Sequence, residues 1–211
     1  MTREKTHSIL WLSIFFLVLL WSAIKPHDYF TWVLEILPAL LGLGILIGTF
    51  KVFKLTPLTY WLILIHAIIL MVGGHYTYAQ VPLFNWLKDL FDLSRNNYDK
   101  LGHFAQGFIP AIVTREILIR TSPLRPGKWL FFIVACVCLA ISAFYELIEW
   151  WVAVATGVAA EAFLGTQGDV WDSQSDMFLA FIGALSALGT LSTYHDRLIT
   201  KLFRQNHEGT Q

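Results

Sequence analysis

Charge is scarce in this chain. Only 14% of its 211 residues are Asp, Glu, Lys or Arg, against about 25% in soluble domains. With 56% hydrophobic residues and a mean hydropathy of +0.58, that shortfall excludes an ordinary soluble domain. The charge that exists is balanced, 15 basic against 15 acidic residues. No basic stripe with interleaved aromatics is present, so nucleic acid is not an expected partner. Cysteine is nearly absent. Cys136 and Cys138 are two residues apart, and residues so spaced do not face each other on a helix. That argues against a disulfide or a chelating pair and leaves both as small packing residues. Internal repeats, low-complexity tracts and a local His-Glu-x-x-His signature are missing too.

What is present is long apolar runs. They predict an all-α, single-domain, polytopic transmembrane helical bundle of about six spans. The expected spans are residues 8–24, 29–50, 58–78, 101–120, 128–156 and 176–194. Each is long enough for about 30 Å of hydrocarbon at 1.5 Å per residue. The first reads as an uncleaved anchor, because Trp21-Ser22-Ala23 puts a large residue where cleavage wants a small one. Trp and Tyr gather near the ends of the runs, as at Trp11, Tyr29, Trp61, Tyr76, Trp129 and Trp150, where amphipathic rings favour the headgroup level. Gly44-x-x-x-Gly48, and the set Ala180, Gly183, Ala184 and Ala187, permit close helix contact within the bundle or in a homo-oligomer.

Basic residues set an expected orientation. With the N-terminus in the cytoplasm, 11 of the 15 Lys and Arg fall inside. Only Lys25, Lys88, Arg95 and Lys100 fall outside. Both termini are therefore expected to be cytoplasmic. The outer connection 80–100 contains Leu83, Phe84, Leu87, Leu90 and Phe91 at helical spacing, which predicts an interfacial helix over about 82–93. The tail after Tyr194 is polar and is expected to fray.

Charges inside spans are costly and point to function. Here they collect near one set of helix ends, the expected outer ones. His75 closes span three, and Asp99, Lys100 and His103 open span four. Glu146 and Glu149 lie late in span five, Asp169, Asp172 and Asp176 lead into span six, and Glu35 is early in span two. The opposite ends carry loop-type basic residues, with Glu116 the exception. Positions four apart on a helix lie about 40° apart and positions three apart about 60°. Asp99 and His103 therefore share a face, as do Glu146 and Glu149, and so would 169, 172 and 176 if the helix starts that early. So many carboxylates cannot all ionise without a cation. The cations considered are Lys100, a protonated histidine or a bound metal. His75, Asp99, His103, Asp172 and Asp176 are the candidate ligands of a divalent metal, zinc or manganese because imidazole is among them. Glu146, Glu149 and Asp169 are the candidate catalytic acid–base groups.

Structural readings stand beside these. Asp99 and Lys100 also suit a solvated helix start, Asp172 or Ser173 suits a cap, and Glu146 and Glu149 suit interhelical pairing. His66 reads as an interhelical hydrogen-bonding residue. His7, His27, His195 and His207 read as loop residues.

Four stretches carry a resemblance. They are Gly74-His75-Tyr76-Thr77-Tyr78-Ala79, Tyr98-Asp99-Lys100-Leu101-Gly102-His103-Phe104, Glu146-Leu147-Ile148-Glu149-Trp150 and residues 165–177, Gly-Thr-Gln-Gly-Asp-Val-Trp-Asp-Ser-Gln-Ser-Asp-Met. Together they resemble the YjdF family of bacterial inner-membrane proteins over essentially the whole chain. That resemblance implies a multi-pass inner-membrane location and no particular reaction. The second half is also similar to VanZ-like membrane proteins, through Asp99, Lys100, His103, Phe104, Glu146, Asp169 and Asp172. Glu149 and Asp176 replace that group's Gln and Asn, and the likeness implies a cell-envelope context. Three functions are expected as alternatives. One is a metal-dependent hydrolase of an envelope lipid or lipid-linked substrate, another a small cation- or proton-linked transporter, and the third a non-catalytic envelope accessory protein. Membrane lipids are the expected partners.

Overall fold

The computed structural model describes residues 3–157, 161–164 and 166–208. These form helices α1 (Arg3–Ser22), α2 (Tyr29–Thr49), α3 (Pro57–His75), α4 (Pro82–Leu90), α5 (Tyr98–Thr121), α6 (Lys128–Thr156), α7 (Glu161–Leu164) and α8 (Asp172–Glu208). No strand occurs among the described residues. Five helices, α1, α2, α3, α6 and α8, are long and apolar enough to cross a membrane. The expected fourth crossing corresponds to α5, which has the length, 24 residues, but carries Asp99, Lys100, Arg115, Glu116 and Arg120. Large side chains on α2 such as Leu41, Ile45 and Ile47 are at least 60% exposed, which water would penalise and lipid would not.

Local chemistry sets the helix starts. Asp28 accepts from the Thr31 amide at 2.6 Å ahead of α2, and Thr56 precedes Pro57 at the start of α3 and accepts from the Thr59 amide at 3.4 Å. Pro82 opens α4, and Leu83, Trp86 and Leu90 of its apolar face are exposed, as a helix lying in an interface requires. The expected end of span three moves back to His75, because Thr77 and Tyr78 take positive φ and break the helix. The tail does not fray at Tyr194: α8 runs to Glu208 and buries His195 and Ile199. His7, His195 and His207 accordingly belong to helices, and only His27 of that group lies in a loop. Gly165 lies outside the described residues.

The chain divides into two compact units. The first comprises residues 1–48, 64–102 and 145–172. One of its buried apolar clusters is Tyr78, Val81 and Tyr98. The Tyr78 ring fills space that glycine leaves open. A Cβ at Gly73 would come within 2.2 Å of that ring and one at Gly102 within 3.0 Å.

The second unit comprises residues 49–63, 103–144 and 173–211. Ile112, Leu130, Val134, Ala184 and Leu188 lie in its core with Cys138. Both cysteines are free. Here α5 and α8 meet backbone to backbone. A Cβ on Gly107 would lie 1.7 Å from the Ala180 carbonyl oxygen, and one on Gly183 would lie 2.1 Å from that of Phe104. Gly44 and Gly48 of α2 have nothing within 4 Å of such a Cβ. Gly107→Ala and Gly183→Ala should each lower stability by about 1–3 kcal/mol or more through overpacking. Gly44→Ala should leave it unchanged or raised. Thermal unfolding of the purified protein in detergent measures both.

Candidate functional site

The acid-rich part of the first unit is organised by a residue that the spacing argument passed over. Arg95 is 9% exposed and lies just before α5. Its Nη1 donates to Asp172 Oδ1 at 2.6 Å and to the Thr166 carbonyl at 3.1 Å. Its Nη2 donates to Asp99 Oδ2 at 3.3 Å, and Asp169 Oδ2 lies 3.6 Å from Nη1. Lys100 adds a second cation on Asp172 Oδ1 at 2.9 Å. Three of the sequence-selected acids thus share two cations, and Asp172 is held by both. Charges removed from water in this way require close pairing.

The neighbouring residue fixes the loop. Asn96 is 1% exposed. Its amide nitrogen donates to the Val81 carbonyl at 3.1 Å and to Asn85 Oδ1 at 2.8 Å. Its amide oxygen accepts from the Tyr98 amide at 3.0 Å. Its main chain exchanges two bonds with the Gln167 side chain, at 3.1 and 2.9 Å. Gln167 and Gly168 take positive φ, and Asp169 accepts from the Trp171 amide at 2.9 Å. This turn keeps Asp169 outside α8, so 169, 172 and 176 are not one helical stripe; only Asp172 and Asp176 are. A basic residue four before Asp99 was the available signal for Arg95, but the loop between them hid it.

The other selected residues of this unit are placed as follows. Glu35 and Glu149 are buried and Glu146 is half-buried. Glu146 and Glu149 lie on one face of α6 by their spacing. The Glu35 Cβ lies 3.0 Å from where a Gly74 Cβ would stand. Burial, and then the Glu35 carboxylate, push the Tyr78 phenol well above its ordinary range. His75 turns toward the α1–α2 connection. Its Nδ1 lies 3.0 Å from the Ser22 carbonyl, and its ring packs on Trp21 with centroids 4.7 Å apart. A carbonyl only accepts, so Nδ1 carries the proton.

In the second unit His103 and Asp176 are 7% and 2% exposed. His103 Nδ1 is 2.9 Å from Gln106 Oε1, an acceptor, so this nitrogen is also protonated. His103 Nε2 then faces Asp176 Oδ2 at 3.8 Å.

A different network occupies the same unit at Glu116, which is fully buried. Its carboxylate accepts from the Thr56 amide at 2.8 Å, Thr56 Oγ1 at 2.9 Å, Thr59 Oγ1 at 2.6 Å, Arg120 at 2.8 Å and His195 Nε2 at 3.1 Å. Arg115 donates to His195 Nδ1 at 3.3 Å and to Asp196 at 2.7 Å. A guanidinium only donates, so His195 is the Nε2–H tautomer. These basic residues are not all loop-type: Arg115 is 3% exposed.

Arg95→Met should remove the main compensating charge and cost about 3–5 kcal/mol. Arg95→Lys should recover only part, since an ammonium lacks the planar fork. Thermal unfolding in detergent reads both, and a Met variant as stable as the wild type contradicts the assignment.

Residues 7–197 match a family described as "Predicted membrane protein (DUF2238)". The chain is 52% identical over 185 residues to the inner membrane protein YjdF of Escherichia coli (strain K12), covering 88% of each sequence. No solved structure matches.

Proposed function

From the premise that the chain belongs to the YjdF (DUF2238) family and is a multi-pass inner-membrane protein, we propose that it binds a divalent metal and hydrolyses an envelope lipid or lipid-linked substrate. One observation carries this reading: buried His103 Nε2 opposes buried Asp176 Oδ2 at 3.8 Å while Nδ1 is committed to Gln106. A zinc ion about 2.0–2.2 Å from each ligand would hold the two atoms at such a spacing. An imidazole whose other nitrogen donates to a fixed acceptor is the usual form of a metal-ligating histidine.

His103 and Asp176 are the first ligands in this reading. Asp99, which α5 carries one turn before His103, is the further ligand proposed. Asp172, held by Arg95 and Lys100, organises acids rather than binding the ion. A bound metal would activate water or polarise a carbonyl or phosphoryl oxygen. Glu146 and Glu149, with Asp169, are the carboxylates assigned to proton transfer. Orientation with both termini in the cytoplasm would turn this chemistry outward.

The test is elemental analysis of protein purified without chelators. Wild type should carry near-stoichiometric zinc or manganese, and His103→Ala and Asp176→Asn should each lower occupancy about tenfold or more. A metal-free wild type sinks the reading. The same His103–Asp176 pair, bridged by a proton instead, favours the transporter alternative. In that case proteoliposomes should show cation or proton flux that Glu146→Gln abolishes.

A further inference from the structure

The second unit holds a feature that the proposed reaction does not use. Beside the Arg115–Asp196 pair lies a half-open pocket of about 410 Å³, lined by Arg115, Lys128, Ser192 and Asp196 together with apolar Phe131. Its size is within the range of small-ligand sites. Arg115 is matched by Asp196 at 2.7 Å, which leaves the lining one net positive charge, on Lys128. A single phosphodiester carries the complementary charge. The polar groups give it an ammonium and a hydroxyl, and Phe131, 41% exposed, gives an apolar contact for what is attached to it.

Depth supports a lipid as the source. Asp176 and Asp196 are 20 residues apart in α8, about 30 Å at 1.5 Å per residue, which is the thickness of the hydrocarbon. Next to Lys128, Trp129 is 75% exposed and Phe132 58% exposed, with ring centroids 6.2 Å apart. An exposed aromatic pair beside a basic residue is an interfacial anchor. We infer that this pocket binds the phosphate of an anionic glycerophospholipid, with Lys128 as the charge contact, Ser192 as a hydrogen-bonding partner and the acyl chains running past the exposed rings of Phe131 and Phe132. Basic pockets at helix ends take lipid headgroups in this way.

The probe is dioleoylphosphatidylglycerol added to delipidated full-length protein in detergent, with bound lipid read by native mass spectrometry. It should be retained several-fold better than dioleoylphosphatidylethanolamine. Lys128→Gln should cut its retention roughly five- to tenfold, while Lys201→Gln, an exposed lysine elsewhere on α8, should leave it unchanged. Equal retention of the two lipids, no effect of Lys128→Gln, or an equal loss with Lys201→Gln would each overturn the assignment. Glycerol 3-phosphate displacing the lipid at equal concentration would overturn it too, by showing a soluble phosphate site.

Discussion

Taking a carboxylate out of water costs several kcal/mol even after relaxation, and in the first unit buried Asp99 and Asp172 meet that cost at one guanidinium, which half-buried Asp169 also approaches. Arg95 reaches all three. It does so from a position that Asn96, next in sequence, fixes through bonds to Val81, Asn85 and Gln167. The start of α4, the start of α5 and the turn before α8 are therefore tied together by two consecutive side chains. Everything proposed for the acids of this unit depends on that joint, because without it like charges would drive the segments apart.

The second unit solves a similar problem in another way. Glu116 is satisfied by hydroxyls, an amide, an arginine and a histidine, so its charge is spread over many short bonds. That network is closed: each partner's geometry is accounted for, and it reads as a latch between α3, α5 and α8. The His103–Asp176 pair is a looser contact, at 3.8 Å, between two buried groups.

Helix type and rough extent were legible from apolar periodicity, which is why the range 128–156 for α6 matches the sequence expectation. Asp172 and Asp176, four apart on the continuous α8, lie on one face by their spacing. Spacing misleads where backbone chemistry intervenes. Positive φ at Gln167 and Gly168 delays α8 and removes Asp169 from the stripe. Arg95 was invisible as a partner because its distance from Asp169 and Asp172 is short only in space. His195 looked like a loop residue because the polar tail hides a buried face, one that pairs with Glu116 79 residues away in sequence.

The glycine contacts between α5 and α8 have a mechanical meaning. Gly107 rests on the Ala180 carbonyl and Gly183 on that of Phe104, a reciprocal seat with no side chain to yield. Two rods notched into each other can turn about the notch far more easily than they can slide along it. Sliding by one residue would bring the bulk of Gln106 or Phe108 against the facing backbone, so this seat resists translation of the two helices more than rotation about it.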